Sequence, residues 1–260
     1  MKQPKLILSR FRKLYQGRFA FRCAVLAATI ILYFTAPEQF AVLRGFECFH
    51  RLSVFHLLWL LWMLDMALQL MPSRQYWPLG SQKFLKETFR PLKEYMAEHD
   101  HGLLEFIYKS NRDTLRIGGV WVLLILSIGA LYYFVDGVDD RTLLLISVAF
   151  YVSDLVCVLF WCPFRVWFMK NRCCTTCRIF NWDHMMMFSP IVFIPGFYTW
   201  SLCFAALVVF TVWEVTFALH PERFWEGTND ALKCSNCTDI LCGERNCRTE
   251  VSRVRWEDEK

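Results

Sequence analysis

The sequence lacks a complete catalytic signature. It contains no G-x-S-x-G, P-loop, H-E-x-x-H or dinucleotide fingerprint, which removes the enzyme classes that are read from such motifs. Internal repeats and low-complexity tracts are missing, so neither a solenoid nor a disordered linker is expected. No inverted symmetry links the two halves, which counts against the repeat architecture common among transporters. Apart from single residues, charge is absent from residues 23–43, 52–71, 117–135, 142–164 and 184–219. No small-x-small cleavage site follows the first of these blocks, so a retained span rather than a signal peptide is expected.

What is present is apolar surface. The chain is 55% hydrophobic and 17% aromatic, and its basic residues cluster between the apolar blocks, as in membrane proteins. A helix needs about 20 mostly apolar residues to cross the hydrocarbon core. The first four blocks fit one span each. The fifth is too long for one upright span and short for two, and Pro190, Pro195 and Gly196 interrupt it. The expected fold class is therefore an all-α polytopic integral membrane helix bundle. It has four spans plus a broken fifth segment, either a hairpin or a kinked span. A basic N-terminal arm (1–22) precedes the transmembrane domain (23–219), and a Cys-rich C-terminal tail (220–260) follows it.

Charge asymmetry orients the bundle. Residues 1–22 carry seven Lys/Arg and no acid, and the loop 72–116 carries eight Lys/Arg. Both are placed on the cytosolic side of a cell membrane by the positive-inside rule. The tail carries seven Lys/Arg, which favours the hairpin and a cytosolic C-terminus. Within the inner loop, Phe84, Leu85, Phe89, Leu92, Tyr95 and Met96 recur at helical spacing among charges, and Leu103, Leu104, Ile107 and Tyr108 form a second such patch. Two interfacial helices are expected there, with an ordinary cytosolic helical hairpin as the alternative. Membrane lipids are the expected partners of the basic arm.

Cysteine supplies the candidate chemistry. Seven of the twelve cysteines flank the fifth block: Cys173, Cys174 and Cys177 before it, and Cys234, Cys237, Cys242 and Cys247 after it. Thiolates at C-x2-C spacing present two soft ligands to one metal ion. The tail spacing, C-x2-C-x4-C-x4-C, resembles the zinc knuckle over 14 residues, with a cysteine in place of its histidine. Leu241 and Ser235 stand where that module has glycine and an aromatic residue, so nucleic acid is not expected as a partner. Four thiolates suit zinc in a closed structural site. An iron–sulfur cluster, a thiol–disulfide relay and, for an outside tail, two disulfides are the alternatives. Cys157 and the Cys162-Pro163 pair are expected to pack rather than ligate, like Cys23, Cys48 and Cys203.

Asp65, Asp154 and Glu214 interrupt apolar blocks, and His56 lies within the second. Ionisable groups in hydrocarbon face the bundle interior, pair or take up protons. Asp65 and Asp154 are expected in the inner half of their spans, and Glu214 joins them at that depth if the fifth block returns inside; the acids then line a polar cavity or make interhelical hydrogen bonds. No second histidine faces His56 at span depth, so haem is not expected. Three function classes follow. The leading one is a non-enzymatic membrane protein with a zinc-bearing cytosolic face that docks a cytosolic protein partner. The others are a membrane enzyme or thiol redox protein acting on a lipid or quinone, and a cation or proton transporter using the intramembrane acids.

Overall fold

The computed structural model describes residues 10–46, 53–71, 80–92, 100–171, 173–233, 236 and 241. Among them every regular element is helical; the only β-type contacts are two isolated bridges, Gly45 with Gly196 and Pro91 with Asn229. Four helices are long and apolar enough to cross a membrane: α1 (Arg10–Thr35), α3 (Asp100–Phe134), α4 (Asp140–Leu159) and α6 (Phe197–Leu219). α2 (Val54–Leu70) is apolar but only 17 residues long. α5 (Asp183–Phe188) is a single short helix.

The helix ends follow local chemistry, and several differ from the block boundaries. α1 begins inside the basic arm and stops before Pro37, because the residue before a proline disfavours the α conformation. Residues Pro37–Leu43 wind on as a 3₁₀ turn, so the first helix is 10–35 rather than 23–43. α2 starts at a capping box: the Phe55 N–H donates to Ser53 Oγ (3.3 Å) and the Ser53 N–H donates to His56 Nδ1 (3.2 Å). The cap of α4 is Asp139, whose carboxylate accepts from the Thr142 N–H at 3.1 Å. That helix stops at Leu159, ahead of Cys162-Pro163, and a π-helical turn follows over Phe164–Met169.

The two interfacial helices do not form as expected. Residues 80–92 make two short 3₁₀ turns, Gly80–Phe84 and Lys86–Thr88; residues 93–96 lie outside the described residues. Phe84 is fully buried and stacks on Phe224 with ring centroids 4.4 Å apart. This segment therefore buries its aromatic side chain against protein rather than lipid. Residues 103–108 belong to α3, which runs unbroken for 35 residues. At 1.5 Å per residue that is about 52 Å, well beyond the roughly 30 Å hydrocarbon core.

The interrupted fifth block sits at the centre of the bundle. Phe188, Ile191 and Ile194 are wholly buried against Trp62 and Met66 of α2 and Leu143, Leu144 and Val148 of α4. Backbone that leaves the helical path at membrane depth must be enclosed by protein, and these contacts enclose it. The corner at Pro195-Gly196 is clamped to the loop after α1. The Gly45 N–H donates to the Pro195 carbonyl (3.0 Å) and the Phe197 N–H donates to the Gly45 carbonyl (2.9 Å). A Cβ on Gly196 would lie 2.0 Å from the Leu43 carbonyl oxygen, so only glycine allows this approach. Gly45 has a φ of 101°, a conformation that side chains disfavour. At its start the segment touches α2, where Gln69 Nε2 donates to Asp183 Oδ1 at 3.2 Å. At its end Glu214 of α6 bonds Arg178. Both ends thus lie beside residues 178–183, while the middle lies against Gly45.

The outer surface is apolar. Leu57, Leu60, Leu64, Leu123, Leu126, Phe134, Phe204 and Leu207 are exposed, a belt suited to lipid chains rather than water. Inside such a bundle, close packing and polar contacts hold the helices, because lipid is as apolar as leucine.

Candidate functional site

Two buried clusters meet at the same end of the bundle. The first is ionic. Arg22 projects from α1 toward α4, where Nη1 donates to Asp154 Oδ2 (2.6 Å) and to the Tyr151 carbonyl (2.7 Å). Its guanidinium covers the Tyr151 ring at 3.9 Å. Nη2 lies 3.7 Å from Asp65 Oδ2 of α2. Asp65 in turn lies 3.4 Å from His184 Nε2, and His184 Nδ1 lies 3.1 Å from Asp183 Oδ1. The i,i+3 and i,i+4 spacings of Tyr151 with Asp154 and Asp65 with Gln69 put each pair on one helix face. The cluster surrounds a cavity of about 30 Å³, which Tyr15, Arg18 and Ser81 also line. Alternating charges compensate one another here, as burial requires.

The second cluster is of thiols. Cys157 ends α4, Cys162 follows in the turn to Pro163, and Cys174 and Cys177 lie on the loop before α5. Cys162 accepts from the Arg165 N–H (3.4 Å) and lies beside Cys157 and Cys174 in the same cavity wall. The Cys174 thiol donates to the Cys157 carbonyl oxygen at 3.1 Å. Donors converging on one sulfur favour its thiolate: the Cys157 bond first, then that of Cys174, hold the Cys162 thiol well below the usual range. Cys174 is driven the opposite way by its bond to Cys162 and by burial. Burial pushes the Cys177 thiol up to about 12. All seven described cysteines are free thiols. An apolar cavity of about 270 Å³ opens beside them, walled by Trp121, Phe150, Met186 and Met187 with the four sulfur residues. Asp154 and Asp183 line both this cavity and the ionic one, so the clusters are contiguous.

The expected site residues divide among different places. Asp65 and Asp154 come together around Arg22. Glu214 does not join them: it accepts from Arg178 Nε (3.2 Å) and Trp182 Nε1 (2.7 Å), and Arg178 also reaches Asn111 at 2.6 Å. His56 serves the cap of α2 and contacts the Tyr198 ring (5.2 Å). Cys174 and Cys177 join the thiol cluster, and Cys173 lies 3.1 Å from the Thr175 hydroxyl. Cys234, Cys237, Cys242 and Cys247 lie outside the described residues. Among the described residues no group of three or more His, Cys, Asp or Glu side chains is arranged to hold a metal ion.

Five participants escaped the sequence reading. Arg22 counts there only as part of the basic arm, although Tyr15, Arg18 and Arg22 recur at helical spacing and mark one polar face. Cys157 and Cys162 read as packing residues. His184 enters there only as the first residue of the fifth block, and its neighbour Asp183 lies just outside it. No family model matches the chain, and comparison with curated proteins and with solved structures finds no match.

Proposed function

We propose that this membrane protein is a thiol oxidoreductase that passes electrons between the Cys162 cluster and a lipid-soluble quinone. The observation that carries this reading is the gathering of Cys157, Cys162, Cys174 and Cys177 in the wall of an apolar cavity of about 270 Å³. A thiolate is the reactive form of cysteine, and an apolar cleft with few polar groups suits a planar lipophilic ring. In the reaction Cys162 and Cys157, or Cys162 and Cys174, lose two electrons and their protons as a sulfur–sulfur bond forms. The quinone takes up both electrons and two protons and leaves as quinol. Asp154 stands at the shared wall of the two cavities, where a proton released by a thiol has an acceptor.

The test is anaerobic mixing of the reduced protein, purified in mild detergent, with a short-chain quinone. Loss of two thiols per quinol formed is expected, and Cys162→Ser should reduce the rate at least a hundredfold. Thiols that persist while quinone stays oxidised would remove this reading.

One observation favours a second reading, in which the inner face holds zinc, or an iron–sulfur cluster, between the loop and the tail. Leu241, the residue before Cys242, is buried with Tyr15, Leu155 and Val158, against Phe180. Those residues adjoin the loop that carries Cys173, Cys174 and Cys177. A closed thiolate site there clamps the tail and supports docking of a cytosolic protein partner. Elemental analysis without chelator decides: about one zinc per chain with thiols protected from alkylation supports it, and metal-free protein with reactive thiols opposes it. Both readings place the N-terminus and tail in the cytosol. The support is the basic arm together with the hairpin path, in which α6 returns to Arg178.

A further inference from the structure

A third cavity has a different chemistry. It measures about 260 Å³ and lies between the first third of α3, the loop after the π-helical turn and the exit of α6. Lys109, Ser110 and Asp113 of α3 line one wall, Lys170 and Arg178 a second, and Trp225 and Glu226 a third. Arg178 is engaged by Glu214, and Asp113 lies 3.4 Å from Arg112 and 3.5 Å from Arg116. Lys109 and Lys170 have no ion pair among the described residues. Positive charge therefore stays in the cavity: Lys109, Lys170 and Arg178 line it against Asp113 and Glu226.

Two independent features point to a ligand. Ser110 is 5% exposed, and its hydroxyl has no partner among the described residues. A buried hydroxyl left unpaired is costly, and a bound acceptor would offset that cost. Lys170 is the one non-glycine residue with a positive φ, 50°, among the described residues. That strained backbone conformation turns the chain at the cavity, and such strain concentrates at functional sites.

The lining narrows the ligand class. Lys109 lies about 12 Å along α3, at 1.5 Å per residue, before the apolar stretch that begins at Ile117, at the outer side of a headgroup layer about 5–8 Å thick. Trp225 and Phe106, stacked with centroids 5.9 Å apart, are residues typical of the interface. We propose that the cavity binds the phosphate of an anionic phospholipid. Lys109 and Lys170 contact its phosphate oxygens, the Ser110 hydroxyl donates to one of them, and the aromatic pair meets the glycerol backbone. The proposal is independent of the thiol chemistry.

Delipidated protein in detergent provides the test, with native mass spectrometry as the readout. The probes are phosphatidylglycerol, diacylglycerol with the same chains, and inorganic phosphate. One retained phosphatidylglycerol per chain is expected, with no retained diacylglycerol. Lys109→Ala with Lys170→Ala should weaken binding about tenfold or more, since each removes a charge-assisted bond. Ser110→Ala, a smaller change in case the double variant misfolds, should weaken it about threefold to tenfold. Equal retention of diacylglycerol, or unchanged binding by folded variants, overturns the proposal. So does inorganic phosphate that competes at the same concentration as the lipid, because the site would then serve a soluble anion.

Discussion

At the scale of single residues, environment assigns different behaviour to chemically identical side chains. An ordinary cysteine titrates near 8.5, so its alkylation rate rises about tenfold per pH unit between 6 and 8. Cys162, held lower by the thiols that donate to it, stays thiolate across that range, and its rate should be nearly flat. Cys177, pushed up to about 12 by burial, should stay unreactive until the protein unfolds. Mass mapping of alkylated peptides at pH 6 and pH 8 checks both, and a Cys162 rate that climbs with pH would contradict the assignment. Arg22 illustrates a different dependence. It holds Asp154 and faces Asp65, so Arg22→Met strands two buried carboxylates, at a cost of about 3–5 kcal/mol. Thermal melting in detergent measures the loss, and Arg22→Met combined with Asp154→Asn should recover part of it. The acids were legible in the sequence because they interrupt apolar runs. Arg22 was not, because a cation next to an apolar run has the same signature whether it meets lipid phosphate or turns inward to a carboxylate.

At the scale of elements, the legible features were those written in strong local chemistry. Pro190, Pro195 and Gly196 mark the break in the fifth block, and the structure turns the chain there. The prediction that belongs here concerns Gly196. Gly196→Ala drives a Cβ to 2.0 Å from the Leu43 carbonyl oxygen, and the clamp to Gly45 has to open. A loss of about 1–3 kcal/mol or more is expected, measurable as a lower melting temperature. Gly119→Ala, where an added Cβ meets nothing within 4 Å, should be neutral or slightly stabilising in its helix. Equal effects of the two would contradict the clamp. The helix expected from Phe84 to Met96 does not form over its described residues, 84–92, because periodicity reports an apolar face without reporting what covers it. Phe84 is covered by Phe224 and Trp213, residues more than a hundred positions away. Residues 103–108 failed as a separate element for the opposite reason. Their pattern is continuous with the span that follows, and no breaker separates them.

At the scale of the whole molecule, the path of the chain decides what the two cysteine groups can do together. Segment 183–219 leaves the Asp183 end, turns at Gly45 and brings Glu214 back to Arg178. Leu241 is then buried against Leu155 and Val158, near the loop that carries Cys173, Cys174 and Cys177. A single kinked span would have separated the two groups by the full hydrocarbon thickness, about 30 Å. Neither a shared metal site nor thiol exchange between them could then occur. The path is testable without purified protein. Lys5→Cys in the arm, Ser252→Cys in the tail and Val138→Cys in the α3–α4 loop are each introduced into a chain without other reactive thiols. In intact cells a membrane-impermeant maleimide should label only the loop position. After permeabilisation all three should react. Labelling of the tail position in intact cells would put the tail across the membrane from the arm. It would also remove the reading in which a metal is held between the loop and the tail, and leave quinone reduction, which rests on Cys157, Cys162 and Cys174, untouched.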